Sequence, residues 1–97
     1  MPTYITLYRY TPQGIKNIKG SPGRIEEAKE AVAKAGGKLK SVYVTMGQYD
    51  LVAISEWPSE EDAAAFLLAQ GSQGNVSSET MRAFTEAEFQ KVVAKIP

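Results

Sequence analysis

The chain has 97 residues, a length typical of one domain, and its 11 basic and 11 acidic residues give a net charge of zero. Apolar residues make up 43% and charged residues 23%, which is typical of a globular protein rather than a disordered or collagen-like one. Cysteine and histidine are absent. Their absence excludes disulfides, thiolate zinc sites and cysteine nucleophiles, and it removes the commonest general base.

The sequence also argues against nucleic acid and membranes as partners. A neutral chain without an Arg-rich or RNP-like motif gains little from counterion release. No apolar run approaches the roughly 20 residues that span a bilayer, and the first residues, 1–4, lack the features of a secretory signal. We therefore expect a cytoplasmic protein. The acidic run 60–62 suits a helix start, so we predict no metal site and no cofactor.

The first half of the chain predicts a strand, a loop and a helix. Residues 3–11 are β-branched and aromatic, which favours a strand, and 12–20 form a turn-rich loop. Ser21 and Pro22 resemble an N-cap and a proline at the first helical position. Helical spacing of apolar residues then predicts a helix that ends at Gly36 and Gly37.

The second half predicts three strands and two helices. Residues 38–46 and 50–57 are close enough to form an antiparallel hairpin. A capping pattern at 59–62 opens a second helix, and the polar segment 75–84 is a fourth strand. A capping box at 85–88 opens a last helix.

The order β-α-β-β-α-β-α predicts an α+β fold over a single domain, residues 1–97. Its first six elements match the ferredoxin-like split βαβ arrangement, and the last helix is an addition at the C-terminus. This topology has a four-stranded antiparallel sheet with both main helices on one face.

Alternation along the strands predicts which side chains lie on the face without helices. Ile5, Leu7, Val52 and Ile54 are assigned to the helix side. The residues assigned to the uncovered face include Tyr4, Thr6, Tyr8, Tyr10, Tyr43, Thr80, Arg82 and Phe84. Monomers rarely expose such a patch, so we expect a homodimer or higher even oligomer with a cavity between two sheets. The alternative is that the last helix folds back over this face.

Three segments resemble one known family. Met46-Gly47-Gln48-Tyr49-Asp50 is similar to the Gly-x-Tyr-Asp signature of the GYD-domain family. Residues 11–17 after the first strand and 74–85 around the fourth resemble the same family. The resemblance implies a dimeric α/β barrel and supplies no established reaction.

The signature segment is also the first candidate site. In one interpretation it is a hairpin turn, where Gly47 permits a positive φ and Asp50 bonds its own backbone. In the other, Asp50 lies at the mouth of the cavity and acts as a general base, which requires a pKa raised by burial.

A second group of residues is predicted to bind a ligand. Tyrosines would stack on a planar molecule, while the Lys16 ammonium would hold an anion and Asn17 would donate a hydrogen bond. Arg82 on an apolar face needs an anion, either the ligand or a carboxylate such as Glu56 or Asp50. The predicted ligand-binding residues are Tyr4, Tyr8, Lys16, Asn17, Tyr43, Tyr49 and Arg82. For each, the alternative is a packing or surface role.

Three functional hypotheses stay open. The first is a homo-oligomer that binds a small planar or anionic molecule without catalysis. The second is a cofactor-free enzyme of the dimeric α/β-barrel type, similar to monooxygenases or isomerases, in which Asp50 or a tyrosine moves a proton. The third is a purely structural assembly module.

Overall fold

The computed structural model describes residues Met1–Pro97 and confirms the α+β, ferredoxin-like fold. The strands are β1 (Thr3–Tyr10), β2 (Lys38–Val44), β3 (Leu51–Glu56) and β4 (Val76–Ala83), and the helices are α1 (Pro12–Lys16), α2 (Ser21–Lys34), α3 (Glu60–Ser72) and α4 (Glu86–Ala94), with a 3-10 turn at Ile18–Gly20. The strands form one antiparallel sheet in the order β2-β3-β1-β4, so β1 and β3 are its centre.

The segment after β1 is helical, so the prediction of a loop over 12–20 is wrong. The Thr11 hydroxyl caps α1 by accepting a hydrogen bond from the Gly14 amide at 3.1 Å, and a proline follows it at the first helical position. The predicted N-cap of α2 is also wrong, because Gly20 occupies that position and Ser21 is already helical. The Ser21 hydroxyl instead bonds the Tyr10 phenol oxygen at 2.6 Å.

The two later helices begin where the capping patterns predicted. The Ser59 hydroxyl accepts a hydrogen bond from the Asp62 amide at 3.1 Å at the start of α3. At the start of α4, Thr85 and Glu88 exchange side-chain to backbone bonds of 2.9 and 3.2 Å. Each cap satisfies amides that a helix leaves without partners in its first turn.

The predicted faces of β1 and β3 are inverted in the structure. Tyr4, Thr6 and Tyr8 are buried beneath α2 and α3, as are Leu51, Ala53 and Ser55. A one-residue shift exchanges the two faces of a strand, and both faces here carry apolar residues. Small residues such as Ala53 let the helices approach the sheet. A prediction that places the larger aliphatic side chains under the helices therefore selects the wrong face.

The uncovered face is therefore aliphatic rather than aromatic. Ile5 lies between Ile54 of β3 and Met81 of β4, and Leu7 lies beside Val52. Tyr43 pairs with Val52 and is exposed on this face, as the sequence predicted. We refer below to the side of the sheet that carries Ile5, Leu7, Val52, Ile54 and Met81 as the uncovered face.

The core is small and forms two clusters under the helices. The first contains Tyr4, Val32, Trp57 and Ala63, and the second contains Tyr8, Leu51 and Ala53. Only 11 of the 97 residues are buried, so a single copy keeps much of its apolar surface in contact with water.

The last helix does not cover the sheet of its own chain. Phe89 is 58% exposed and Ile96 is 66% exposed, so the alternative in which this helix folds back over the sheet is wrong. None of the helices has both the length and the apolar character needed to cross a bilayer.

Candidate functional site

A cavity of about 180 Å³ lies between the sheet and the two main helices and is partly open to solvent. Its floor comes from β1 and β3, and its walls come from α2 and α3. This single-chain cavity lies on the opposite side of the sheet from the inter-sheet cavity that the sequence predicted. It is similar in size to an engineered apolar cavity of about 150 Å³ that binds benzene, so it has room for one ring.

Aromatic side chains contribute to the lining of the cavity. Tyr4, Tyr8 and Trp57 line it together with Phe66, whose ring centroid is 5.3 Å from that of Trp57. The Trp57 indole donates to the Ser55 hydroxyl at 3.2 Å, which fixes the ring against the floor. A flat, apolar molecule would therefore contact ring faces on several sides.

Three residues that line this cavity carry enclosed polar atoms that have no hydrogen-bond partner. They are the Tyr4 phenol oxygen, the Arg24 Nη2 atom and the Gln70 Oε1 atom. They come from β1, α2 and α3. A buried polar atom without a partner costs about 1–3 kcal/mol, and native proteins have few of them.

Arg24 is the only charged residue of the three. Its Nη1 atom donates to the Asn17 carbonyl oxygen at 3.1 Å, while Arg24 takes part in none of the ion pairs of the chain. Sequence reasoning missed Arg24 and Gln70. One signal was available for Arg24, because a cation near a helix N-terminus opposes the helix dipole and is unfavourable without an anion.

The Tyr8 phenol lies deep in the same cavity. Burial raises its pKa above the ordinary value, although contacts with the Gln70 and Thr6 side chains oppose the shift. Tyr8 therefore stays protonated at neutral pH. Its phenol can donate a hydrogen bond to a bound molecule but is a poor base.

The signature segment lies away from this cavity and forms the β2–β3 turn. Gly47 has a φ of +115°, which only glycine adopts readily. The Asp50 carboxylate accepts a hydrogen bond from the Tyr10 amide at 2.8 Å, and the Asp50 amide donates to the Tyr8 carbonyl at 2.8 Å. Asp50 thus joins the turn to the end of β1, whereas the turn interpretation expected a bond to its own backbone, and it does not line the cavity under the helices.

Tyr49 of the same segment lies at the uncovered face. Its ring is under the Arg9 guanidinium at 4.5 Å, and its hydroxyl donates to the Glu79 carboxylate at 3.1 Å. Arg9 in turn lies 3.8 Å from Glu79. We call Arg9, Tyr49 and Glu79 the signature cluster.

These segments match a known family. A family model described as the GYD domain matches residues 4–93. The chain belongs to the GYD domain family. The resemblance seen in the sequence is thereby confirmed over almost the whole chain.

Solved structures support the fold of this GYD domain. The crystal structure of FFRP-DM1 is 22% identical, covers 87% of this chain and 100% of that one, and has a TM-score of 0.60. TTHA0845 from Thermus thermophilus is 27% identical over 88% and 95%, with a TM-score of 0.52. The hypothetical protein PHS023 from Pyrococcus horikoshii is 23% identical over 89% and 93%, with a TM-score of 0.55. A search of curated proteins found no match.

Two of the three family segments contact each other in this GYD domain. The Thr11 hydroxyl donates to the Gly74 carbonyl at 2.5 Å, and the Gln13 amide donates to the Asn75 side chain at 3.1 Å. These bonds join the start of α1 to the start of β4. The segments thus have a structural role at one end of the sheet.

The predicted ligand-binding residues divide between several places. Tyr4 and Tyr8 line the cavity, whereas Lys16, Asn17, Tyr43, Tyr49 and Arg82 do not. Asn17 is connected to the cavity only indirectly, because its backbone carbonyl oxygen accepts a hydrogen bond from Arg24. No group of three or more His, Cys, Asp or Glu side chains is arranged to hold a metal ion.

Arg82 lies on the helix side of the sheet, so its assignment to the uncovered face is wrong. It is opposite Tyr4 in the register, and its guanidinium stacks on Phe84 at 4.6 Å. Its carboxylate partner is Glu88 at 3.7 Å, not Glu56 or Asp50. Glu88 lies in the first turn of α4, so the cation ties that helix to β4.

Proposed function

We propose that this GYD domain binds a small planar or anionic organic molecule in the cavity between the sheet and α2 and α3. The observation that supports the proposal is the cavity of about 180 Å³ itself, whose lining combines aromatic rings with the polar side chains of Tyr4, Arg24 and Gln70. A ligand with polar groups at its edge and a flat apolar body would satisfy them.

The first test is whether the cavity is occupied. Protein purified without additives is weighed by native and by denaturing mass spectrometry, and a set of single-ring compounds is then titrated against it. Trp57 is the only tryptophan and lines the cavity, so its fluorescence reports occupancy. We expect a retained small molecule or a saturable change in Trp57 emission.

A matched pair of variants ties binding to the cavity. Ala28 lines the cavity from α2, whereas Ala31 on the same helix is exposed. Ala28→Phe should fill the cavity and abolish binding, while Ala31→Phe should leave it unchanged. Both variants must keep the wild-type circular dichroism spectrum. The absence of any retained mass and of any saturable response in the wild type would contradict the proposal.

We also propose that a second copy of this chain covers the uncovered face. Ile5, Leu7, Val52 and Ile54 are each only half-buried in a single copy, and Met81 is 47% exposed. Contiguous apolar patches of this kind mark interaction surfaces. A second copy fits because the ion pairs Arg9–Glu79 and Lys40–Glu56 lie at the two ends of the face, so two copies do not meet as like charges.

The area available supports a role for α4 in this homodimer. Four strands about 4.8 Å apart and about 23 Å long give a face of roughly 440 Å², whereas a stable interface buries about 800 Å² per partner. The exposed apolar side chains of α4 can supply the remainder. They are Phe89, Val92, Val93 and Ile96.

Light scattering coupled to gel filtration tests the homodimer. Ile54→Asp places a charge at the centre of the uncovered face and should convert an even oligomer to a monomer. Leu68→Asp is the matched control, because Leu68 is 75% exposed on α3 and does not line the cavity. A monomeric wild-type protein at micromolar concentration would contradict this proposal.

A further inference from the structure

We infer that, in the homodimer proposed above, Tyr43 of each copy binds against the signature cluster of the other copy. The inference rests on the proposed homodimer. It adds the orientation of the two copies and the residue that each contributes to the other. It also gives the family signature a role in assembly, which follows from the order of side chains across the uncovered face.

One row of side chains on the uncovered face differs in chemistry at its two ends. The strand register places four residues side by side from β2 to β4, and they are Tyr43, Val52, Leu7 and Glu79. The middle of the row is aliphatic. Tyr43 is 60% exposed at the β2 edge, whereas Glu79 belongs to the signature cluster at the β4 edge. The row therefore has an exposed aromatic ring at one edge and charged groups at the other.

A cleft of about 210 Å³ lies at the charged end of this row. It is lined by the signature cluster together with Leu7, Ser77 and Ser78. The Arg9 guanidinium makes one hydrogen bond, from Nε to the Gln48 carbonyl oxygen. Its Nη1 atom is 3.8 Å from the Glu79 carboxylate, which is beyond hydrogen-bond distance. A hydroxyl group suits this cleft, because it can accept a hydrogen bond from a guanidinium and donate one to a carboxylate.

A two-fold axis parallel to the strands brings the two ends of the row together. Sheets packed face to face keep their strand directions within about 30°, and a homodimer interface is two-fold symmetric. This axis reverses the order of the strands, so β2 of one copy lies over β4 of the other while each row keeps its level. Tyr43 then lies over the partner's Glu79, and Val52 lies over the partner's Leu7. By symmetry the contact occurs twice.

The other aligned arrangement of two sheets suits the charges less well. An axis across the strands, in the plane of the interface, places each strand over its own counterpart and superposes neighbouring rows. Glu79 would then lie over the partner's Met81, which is two residues away on β4. A carboxylate buried against an aliphatic side chain without a donor is unfavourable. The axis parallel to the strands instead gives Glu79 a hydroxyl donor.

Removal of the Tyr43 hydroxyl tests the contact. We expect Tyr43→Phe to raise the dissociation constant of the dimer about a hundredfold, because a hydrogen bond to a charged group contributes about tenfold or more and the symmetric interface contains two. The effects of Tyr43→Phe and Glu79→Gln should not be additive in a double-mutant cycle. Glu61→Gln is the control for Glu79→Gln, because it removes an exposed carboxylate of α3. Sedimentation equilibrium measures the four variants and the wild type.

Cysteine cross-linking tests the orientation, because the chain has no cysteine of its own. At a concentration where the protein is dimeric, the double variant Tyr43→Cys/Glu79→Cys should form covalent dimers with a short bismaleimide. Tyr43→Cys alone is the matched control. Its two thiols would lie at opposite edges of the interface, separated by three interstrand spacings of about 4.8 Å. With the axis across the strands, they would be offset by only two residues, about 7 Å, and the single variant would cross-link.

The outcomes separate this inference from the homodimer on which it rests. A monomeric wild-type protein overturns both. If the dimer forms but Tyr43→Phe leaves its dissociation constant unchanged, or Tyr43→Cys alone cross-links, the inference is overturned and the homodimer stands. A dimer that retains a small molecule, lost in Glu79→Gln, would place a ligand in the cleft and would also overturn the inference. A hundredfold weaker dimer in Tyr43→Phe, with cross-links confined to the double variant, supports it.

Discussion

The Arg9 guanidinium lies 4.5 Å above the centre of the Tyr49 ring, and this contact joins the signature turn to the central strand β1. The Arg9 Nε atom also donates to the Gln48 carbonyl at 3.0 Å. The tyrosine of the family signature is thus held at the edge of the uncovered face, outside the cavity. Its position relates the signature to the uncovered face of the sheet rather than to the cavity under the helices.

Removal of the Tyr49 ring should weaken this contact. We expect Tyr49→Leu to lower the free energy of unfolding by about 0.5–1 kcal/mol, the range for an exposed cation–π contact. Tyr49→Phe keeps the ring and loses only the exposed bond to Glu79, so its loss should be smaller. Urea unfolding at one protein concentration measures both. Equal losses in the two variants would show that the ring contact contributes nothing.

The glycine of the signature should be required for its backbone conformation alone. Gly47 has a φ of +115°, and a Cβ at this position would meet no atom within 4 Å. Gly47→Ala should therefore destabilise the domain by about 1–3 kcal/mol through backbone strain. Gly71→Ala in α3, where space is also open, should instead stabilise it by up to about 1 kcal/mol. Thermal melting of both variants would show shifts of opposite sign; a Gly47→Ala variant as stable as the wild type would contradict the prediction.

The order of the elements could be predicted from the sequence because local signals determine it. Capping residues such as Ser59 and Thr85 mark helix starts, and the short segment between β2 and β3 requires a hairpin. The faces of the strands could not be predicted in the same way. In β3, Val52 and Ile54 are as apolar as Leu51 and Ala53, so alternation alone gives no preference between the two faces.

The site was harder to predict than the fold. Tyr4 and Tyr8 were recognised as ligand-binding candidates, but for the wrong side of the sheet. Arg24 and Gln70 lie on helices that are far apart in the chain, and only tertiary packing brings them to the same cavity as Tyr4. The spacing of residues along the sequence does not predict that the Arg24 Nη2 and Gln70 Oε1 atoms lack hydrogen-bond partners.

Gly14 should tolerate no side chain, because of a close approach between α1 and β4. A Cβ at Gly14 would lie 2.0 Å from the Asn75 carbonyl oxygen, and backbone atoms cannot move aside cheaply. We expect Gly14→Ala to cost at least about 1–3 kcal/mol. Gly23→Ala in α2 meets nothing within 4 Å and should be neutral or stabilising. Urea unfolding measures the stability of both variants. Equal changes in the free energy of unfolding would show that the contact with Asn75 does not restrict the side chain at position 14.

Acid should loosen the attachment of α4 through Glu88. Hydrogen bonding to the Thr85 backbone and the nearby Arg82 guanidinium hold the pKa of Glu88 below its ordinary value. A carboxylate with a lowered native pKa stabilises the folded state fully above its unfolded pKa of about 4.3, and that contribution is lost as the pH falls through the lower native value. The wild-type melting temperature should therefore fall more steeply below about pH 4 than that of Glu88→Gln. Glu86→Gln is the control, because it removes a neighbouring carboxylate of the same turn and should keep the wild-type dependence of melting temperature on pH. If Glu88→Gln also keeps the wild-type dependence, the Glu88 carboxylate does not couple folding to pH.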